Sequence, residues 1–329
     1  ADTAPAFGIF KISQGLNVAI SGMTVSNGRD TNGLGGGIES FSSNLTLTNV
    51  VVTGNQAGGG GGVSVGLADG IFTGCTFSGN TATTFNGGGI FYEGDGGHTL
   101  RLVNSTVSGN SAGIGGGGIY NFSGNGNSRL EVVNSTIANN AAGNGGGIHT
   151  VTQGAGNTAT TTLRNTIIAN NTPNNLATLT INGGGAATVT TAGFNLSDNF
   201  NGVFTSLATD ITAQPLLAPL ALNGGQTPTH ALLFSSPALD AGSNSGSGVT
   251  VDQRGSTRTV DLAGITNAAS GDGTDIGAYE AQTAPAQIAT HLSVVAPASA
   301  TSGTAFSFTV TPLDASNNTV PGYTGTGHF

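Results

Sequence analysis

Residues 104–120 read NSTVSGNSAGIGGGGIY, an Asn-containing segment followed by four glycines and an Ile–Tyr pair. The glycine run recurs, and its copies end at apolar residues spaced 25, 27, 29 and 29 positions apart: Ile38, Val63, Ile90, Ile119 and Ile148. The Asn segment recurs at similar intervals, as NVVVTGN at 49–55, GCTFSGN at 74–80, NSTVSGN at 104–110, NSTIANN at 134–140 and NTIIANN at 165–171. Self-similarity at a fixed period indicates a repeat architecture and not a phosphate-binding loop.

Apolar residues occupy two fixed columns in these repeats. They are Leu47, Phe72, Leu102, Val132 and Leu163 in one, and Val52, Phe77, Val107, Ile137 and Ile168 in the other. Short strands in which apolar and polar residues alternate, separated by turns of Asn and Gly, predict a parallel β-helix. Its coils should stack ~4.8 Å apart, and both apolar columns should point into its core. The Asn columns at 49, 104, 134 and 165 and at 55, 80, 110, 140 and 171 are predicted to form amide ladders between coils.

The composition narrows the function classes. The 329 residues include 57 Gly, 7 Lys+Arg and 16 Asp+Glu, and the net charge is −9. A chain without a basic cluster does not neutralise phosphates, which argues against nucleic-acid binding. No apolar run reaches the roughly 20 residues that a transmembrane helix needs. Cys75 is the only cysteine and is predicted to be a buried, unreactive thiol.

The alternation of GGGI with NSTxSxN over about residues 15–200 resembles the repeats of polymorphic outer-membrane proteins. Those repeats occur in right-handed β-helical surface proteins of bacteria. The resemblance implies an all-β protein with a right-handed parallel β-helix over residues 1–212, and it implies no particular activity.

Residues 213–282 break the rhythm and resemble choice-of-anchor Q surface proteins of bacteria. The matching segments are Asn223–Gly225, Pro228–Leu232, Ser236–Gly242, Asp252–Gly255 and Asp275–Glu280. This resemblance implies a secreted, envelope-associated protein whose anchor varies between members, and it carries over no catalytic motif.

An open solenoid end needs a cap with a polar outer face, so the charged segment 213–282 is predicted to cover the last coil. Arg254 and Arg258 are predicted to pair with Asp252, Asp275 or Glu280 and hold the cap in place. In the alternative, SGDGTD uses Asp272 and Asp275 to bind Ca²⁺, the one cofactor that the sequence suggests.

The tail forms a third unit. Residues 283–290 are a Thr/Ala/Pro/Gln linker, and residues 291–329 alternate apolar and polar positions like the first strands of a bacterial immunoglobulin-like domain. Thirty-nine residues do not complete such a sandwich. We therefore expect either a longer polypeptide or strands from another subunit.

Parallel β-helices often carry polysaccharide lyases and hydrolases, so paired carboxylates were sought. Only Glu93 and Asp95, in YEGDGGH at 92–98, are close together in the repeats. This loop is predicted to be a solvated turn, and a catalytic or metal site is the alternative interpretation. Arg101 and Glu131 occupy the same position in adjacent coils and are predicted to form an exposed ion pair.

One outward column follows the glycine corner, with Glu39, Ser64, Phe91, Tyr120 and His149. Phe91, Tyr120 and His149 are predicted to stack on consecutive coils, and stacked rings bind sugars or proteins. In the alternative, a flanking loop covers them. We expect a non-enzymatic structural protein of the bacterial surface or extracellular space, an adhesin or fibre component that binds glycans, surface partners or itself. A polysaccharide lyase or hydrolase is the second hypothesis.

Overall fold

The structure is a computed structural model that describes residues 7–299, 301–314, 317 and 319–321. Its 28 strands, numbered in chain order, form parallel sheets stacked as a β-solenoid of about seven turns, followed by one small antiparallel sheet. The described part of the chain contains no helix, and therefore none that could span a membrane. The predicted all-β parallel β-helix is confirmed.

The first two sheets have seven strands each. The first sheet contains β1 Phe10–Ile12, β5 Ile38–Phe41, β9 Val63–Gly66, β13 Ile90–Glu93, β17 Ile119–Ser123, β20 Ile148–Gln153 and β23 Leu176–Ile181. The second sheet contains β2 Asn17–Ser21, β6 Asn44–Thr48, β10 Gly70–Thr73, β14 His98–Val103, β18 Asn127–Val133, β21 Thr158–Arg164 and β24 Ala186–Thr191. Each strand therefore pairs with its equivalents in the neighbouring coils.

Two further sheets complete the coils. The third sheet contains β3 Thr24–Ser26, β7 Val51–Thr53, β11 Thr76–Ser78, β15 Thr106–Ser108, β19 Thr136–Ala138, β22 Ile167–Ala169, β25 Leu196–Ser197 and β26 Ile211–Thr212. The fourth sheet has only β4 Arg29–Leu34, β8 Gln56–Gly59, β12 Thr81–Ala82 and β16 Ser111–Ala112. In later coils this side continues as single parallel bridges, from Ser111 to Ala141 and from Ala141 to Thr172.

The interior is built from the two predicted apolar columns. Phe77 pairs in register with Val52 on one side and Val107 on the other, and Phe72 pairs in the same way with Leu47 and Leu102. All ten residues of the two columns are fully buried in one continuous core. Apolar residues one repeat apart in the sequence therefore stack on one another in the core, as predicted.

One of the two Asn columns forms a continuous ladder. Asn55 Nδ2 donates to Asn80 Oδ1 at 3.0 Å, and Asn80 Nδ2 donates to Asn110 Oδ1 at 2.9 Å. The same bond continues through Asn140 and Asn171. Each Oδ1 also accepts the backbone N–H of the preceding rung, and each Nδ2 also donates to a backbone carbonyl. The predicted ladder is confirmed in this column.

The other Asn column behaves differently. Asn49, Asn104, Asn134 and Asn165 adopt positive φ values between 44° and 53°, so they are corner residues. In the hydrogen bonds that the structure describes for this column, only that from Asn165 to Asn134 joins two rungs. Asn104 Nδ2 instead donates to the Val251 carbonyl at 2.7 Å. The ladder predicted here is wrong because these side chains point outward, toward residues 213–282.

Residues 213–282 lie along the outer face of the third sheet. Thr227 Oγ1 donates to the Gly74 carbonyl at 2.8 Å, and Ala278 N donates to Thr136 Oγ1 at 3.1 Å. Ile167 and Leu196 pack with Leu232, Leu239 and Ile276 in a second apolar core. The expected cap on the last coil is therefore corrected: the segment covers the side of several coils.

The core is closed at the last coil by the loop between β25 and β26. Phe200 is buried in the main core, and Val203 and Phe204 pack against it. The rings of Phe200 and Phe204 meet edge to face with centroids 5.1 Å apart. Three apolar side chains from a short loop thus cover the last coil, which we had expected residues 213–282 to do.

The tail contributes one antiparallel pair, β27 His291–Val295 with β28 Thr309–Leu313. This pair fits part of an immunoglobulin-like domain. The remaining residues of the predicted unit, 300, 315–316, 318 and 322–329, lie outside the described residues, as do residues 1–6 of the predicted β-helix.

Candidate functional site

The first sheet places the predicted aromatic column in register. Phe91 pairs with Tyr120, and Tyr120 pairs with His149, so the three side chains lie on consecutive coils. Their neighbours Ile90 and Ile119 point into the core, because successive side chains of a strand alternate between faces. The column therefore lies on the outer face of the sheet.

The rings of this column are stacked. The Phe91 and Tyr120 centroids are 5.5 Å apart at an interplanar angle of 20°. Tyr120 and His149 meet edge to face with centroids 5.6 Å apart. Parallel pairing at one coil per ring dictates this spacing. The predicted stack is confirmed for Phe91 and Tyr120, whereas His149 packs with its edge against the Tyr120 ring.

The exposure of the column agrees at Tyr120 and His149 with the alternative that a flanking loop covers the rings. Tyr120 is 7% exposed and His149 is 3% exposed, whereas Phe91 is half-buried. The backbone at Gly115 lies against the imidazole, since a Cβ at that position would be 2.3 Å from His149 Nδ1. The loop before the glycine corner thus covers this end of the stack. The binding role of Phe91, Tyr120 and His149 stays a prediction.

Burial sets the protonation of these rings. It lowers the pKa of His149 to about 4 and raises the pKa of Tyr120 to about 12. Neither ring nitrogen of His149 has a hydrogen-bond partner among the described residues. The imidazole is therefore neutral at pH 7 and acts as a packing group under the loop.

A second outward column completes the aromatic surface. Phe41, Gly66, Glu93 and Phe122 pair in register, two residues after the first column. Phe122 stacks on Tyr120 with centroids 6.1 Å apart at 16°, and Phe41 is 44% exposed. We call Phe41, Phe91, Tyr120 and Phe122 the aromatic strip. The same period-2 alternation that gave the first column could have revealed Phe41 and Phe122.

Glu93 is the only carboxylate among the residues of that second column. It is half-buried, and burial together with the nearby Asp95 raises the pKa of its carboxyl. Gly66 lies between Phe41 and Glu93 in this column, and the Phe41 ring packs over it, because a Cβ there would be 2.7 Å from that ring and 3.7 Å from Glu93 Oε2. The strip therefore offers flat apolar faces with a hydrogen-bond acceptor beside them.

The Asp95 carboxylate is buried and hydrogen-bonded to the next coil. Its Oδ1 accepts the Gly124 N–H at 2.8 Å, and the residue is 8% exposed. The solvated turn expected for YEGDGGH is therefore wrong at Asp95, because the carboxylate braces the loop of the next coil. His98 lies 3.4 Å from Asp69, and Arg101 lies 3.5 Å from Glu131 in the predicted exposed ion pair.

The acidic residues of 213–282 bind backbone N–H groups. Asp272 accepts from Asn244 N at 3.0 Å, while Asp275 accepts from Asp240 N and Ala281 N at 2.8 and 2.7 Å. The part of the chain that the structure describes has no group of three or more His, Cys, Asp or Glu that could hold a metal ion. Calcium binding by Asp272 and Asp275 stays a prediction, which calorimetric titration with Ca²⁺ and EGTA can test.

The predicted ion pairs of this segment are present. Arg254 lies 2.8 Å from Asp252 and over the Tyr279 ring, and the buried Arg258 lies 3.6 Å from Glu280. The Arg258 guanidinium also donates to the Gly277 carbonyl at 3.0 Å, and it faces an ionised Glu280 only above about pH 8, because burial raises the pKa of that carboxyl to about 8. Both arginines therefore have a structural role in the segment.

Comparison with known proteins finds no family model, no curated protein and no solved structure that matches this chain.

Proposed function

We propose that this protein is an extracellular scaffold of the bacterial surface that holds an adhesive aromatic strip on a rigid β-helix. The parallel β-helix is compatible with a scaffold role. The resemblance of residues 213–282 to choice-of-anchor Q proteins supports the surface location, and that of the repeats to polymorphic outer-membrane proteins supports it independently.

The aromatic strip is the single observation that carries the adhesive part of the proposal. Phe41 is 44% exposed, and Phe91 and Phe122 are partly exposed, on the outer face of the first sheet. The alternate residues of the same strands, which point into the core, are buried. Contiguous exposed apolar surface is uncommon in soluble proteins and marks interaction sites. Parallel rings fixed on adjacent strands also lose little entropy on binding.

The strip suits a glycan as its ligand. Sugar rings pack their C–H faces on aromatic rings, and their hydroxyls need hydrogen-bond acceptors beside those faces. Glu93 supplies such an acceptor between Phe41 and Phe122. Strand spacing repeats the rings every ~4.8 Å, so a polysaccharide chain could contact several coils at once.

Binding to immobilised bacterial and host polysaccharides tests the proposal. The double variant Phe91→Ser/Phe122→Ser should lose at least about tenfold in affinity while keeping its melting temperature within a few degrees, since both side chains are outside the main core. Phe234→Ser is the control, because Phe234 is 42% exposed but lies in residues 213–282. Equal binding by the double variant and the wild type would contradict the proposal.

Self-association is a separate outcome of the same strip. Light scattering and negative-stain microscopy of the wild type and the double variant distinguish it. Oligomers that dissociate only in the double variant would assign the strip to a second copy of this chain instead of a glycan.

A further inference from the structure

A cleft of about 500 Å³ separates the third sheet from residues 213–282. The sheet side is polar and includes Ser78, Ser108 and Asn139, and the opposite side includes Leu217, Leu220 and His230. Apart from His230, no residue that lines the cleft is titratable or charged in the described chain. The Asp198 carboxylate accepts the backbone N–H of the lining residue Asn170 at 3.3 Å.

Ser108 and His230 meet at this cleft. Ser108 Oγ lies 2.8 Å from His230 Nε2, and His230 Nδ1 lies 2.7 Å from the Ala218 carbonyl oxygen. A carbonyl only accepts hydrogen bonds, so Nδ1 carries the proton and Nε2 presents its lone pair. The Ser108 hydroxyl must therefore donate to Nε2. A hydroxyl, a base and an acceptor that orients the base form the arrangement that activates serine nucleophiles.

Burial keeps the His230 imidazole in the neutral form that a general base requires. Ser108 is 5% exposed and His230 is 3% exposed, and this burial lowers the pKa of His230. The imidazole is thus neutral at pH 7 and available to take a proton. The bonds on both ring nitrogens also fix its orientation.

The pairing is specific to one coil. Ser108 is in register with Ser78, but Ser78 Oγ donates to Thr53 Oγ1 at 3.1 Å. One coil further on, Asn139 replaces the glycine at the corner position, with φ 59°, and its side chain is exposed. An amide in that place can donate to the oxygen of a substrate carbonyl.

We propose that Ser108 and His230 form a nucleophile and general base that hydrolyse esters of small, uncharged acyl groups. Ser108 Oγ attacks the acyl carbon while its proton passes to His230 Nε2. The bond to the alcohol oxygen breaks, and this proton leaves with the alcohol. Water then adds to the acyl carbon and gives a proton to Nε2, which returns it to Oγ as the serine ester breaks. The sum is ester plus water to acid plus alcohol.

Two features of the cleft limit the substrate. Its apolar side, with Leu217 and Leu220, favours an acyl group of a few carbons, and the absence of a charged side chain among the described lining residues disfavours an ionic one. The site lies on the third sheet and the aromatic strip lies on the first, so this proposal does not depend on glycan binding.

The test uses the full chain with p-nitrophenyl acetate and with a fluorophosphonate that labels activated serines. We expect the wild type to release p-nitrophenol and to carry the label on the peptide that contains Ser108. Ser108→Ala should abolish both, and His230→Gln should slow both by about 10² or more. The control Ser26→Ala removes a hydroxyl from the same column outside the cleft and should behave as the wild type.

The proposal is overturned if folded wild-type protein is not labelled at Ser108, or if it releases p-nitrophenol no faster than Ser108→Ala. The first result does not depend on the stability of a variant, because it is measured on the wild type alone. The pH profile gives a further readout. Because the pKa of His230 is lowered, the rate should stay constant down to below pH 6.5, and a fall centred at 6.5 would contradict the assignment.

Discussion

Asn110 Nδ2 donates to Asn140 Oδ1 at 2.9 Å, across one coil of the solenoid. The same Asn110 accepts two hydrogen bonds on Oδ1, from Asn80 N at 3.0 Å and Asn80 Nδ2 at 2.9 Å. Its Nδ2 also donates to the Phe77 carbonyl. One buried amide thus satisfies polar groups of three consecutive coils.

Asn110→Ala should therefore destabilise the protein far more than an average substitution. It leaves the Asn80 N–H and the Phe77 carbonyl without these partners, and each unsatisfied buried group costs about 1–3 kcal/mol. We expect a loss of roughly 3 kcal/mol or more in the free energy of unfolding, measured by urea denaturation. Asn125→Ala, at an exposed position, should change it by less than about 0.5 kcal/mol. Equal losses in the two variants would show that the ladder contributes little.

The middle glycine of the triplet is required by the neighbouring coil. A Cβ at Gly117 would lie 2.4 Å from the Ala141 carbonyl oxygen and 2.6 Å from that of Gly146. Gly117→Ala should cost roughly 3 kcal/mol, since backbone of the next coil must move. Gly109→Ala is the matched control, with open space around it and only a positive φ of 66° to strain, worth about 1 kcal/mol. Thermal unfolding of both variants gives the comparison, and a milder effect at Gly117 would contradict close coil packing.

The sequence was sufficient for the parts of the fold that repeat. Val52, Phe77 and Val107 share one position in the period, and any inward column must be apolar, so the alternation alone predicted the core. The same holds for the stack of Phe91 on Tyr120, because register follows from the period.

Burial of outward residues could not be predicted in this way. Thr106 and Ser108 are polar, and within the repeat they are equivalent to solvent-facing positions. They are buried by Gln253 and His230, which follow 147 and 122 residues later in the chain. No periodic signal indicates where a nonrepetitive segment will pack. The cleft at Ser108 was missed for this reason, and so was the position of residues 213–282.

Gln253 is the main polar link between that segment and the third sheet. Its Nε2 lies within 2.9 Å of both Thr76 Oγ1 and Thr227 Oγ1, and its Oε1 accepts from Thr106 Oγ1 at 2.6 Å. The side chain is only 4% exposed. Gln253→Ala leaves the Thr106 hydroxyl without this acceptor and removes the amide donor from the Thr76 and Thr227 hydroxyls, so it should loosen residues 213–282 from the sheet.

Limited proteolysis measures this loosening. Cleavage within 213–282 should be at least about tenfold faster in Gln253→Ala than in the wild type, which corresponds to about 1.4 kcal/mol of local stability. Gln282→Ala serves as the control, since its amide bonds only within the segment, to the Thr257 and Glu280 carbonyls. Accelerated cleavage across the β-helix repeats as well would mean that the whole fold, and not the docking of the segment, had been weakened.

The buried acids of the segment should make its stability depend on pH. Burial is the main cause that raises the pKa of Asp275 to about 7 and that of Glu280 to about 8, from ordinary values of 3.8 and 4.5. At pH values between the ordinary and the raised pKa of each acid, the folded state binds more protons than the unfolded state. The free energy of unfolding therefore falls as pH rises through this range. The stabilisation is complete below about pH 4 and is lost as pH passes through 7 to 8.

Scanning calorimetry at pH 5, 7 and 9 should therefore show a melting temperature that decreases by several degrees over this range. Glu280→Gln should flatten the slope. It should also lower stability at every pH, because the amide nitrogen would face the N–H groups that Glu280 now accepts from Thr259, Val260 and Asp275. The test is therefore the change of melting temperature with pH, and not the melting temperature at any one pH. Glu131, whose side chain is 47% exposed, supplies the control, since Glu131→Gln should leave the slope unchanged. A wild-type melting temperature that stays constant from pH 5 to 9 would show that both buried acids are already ionised in the folded state at pH 5.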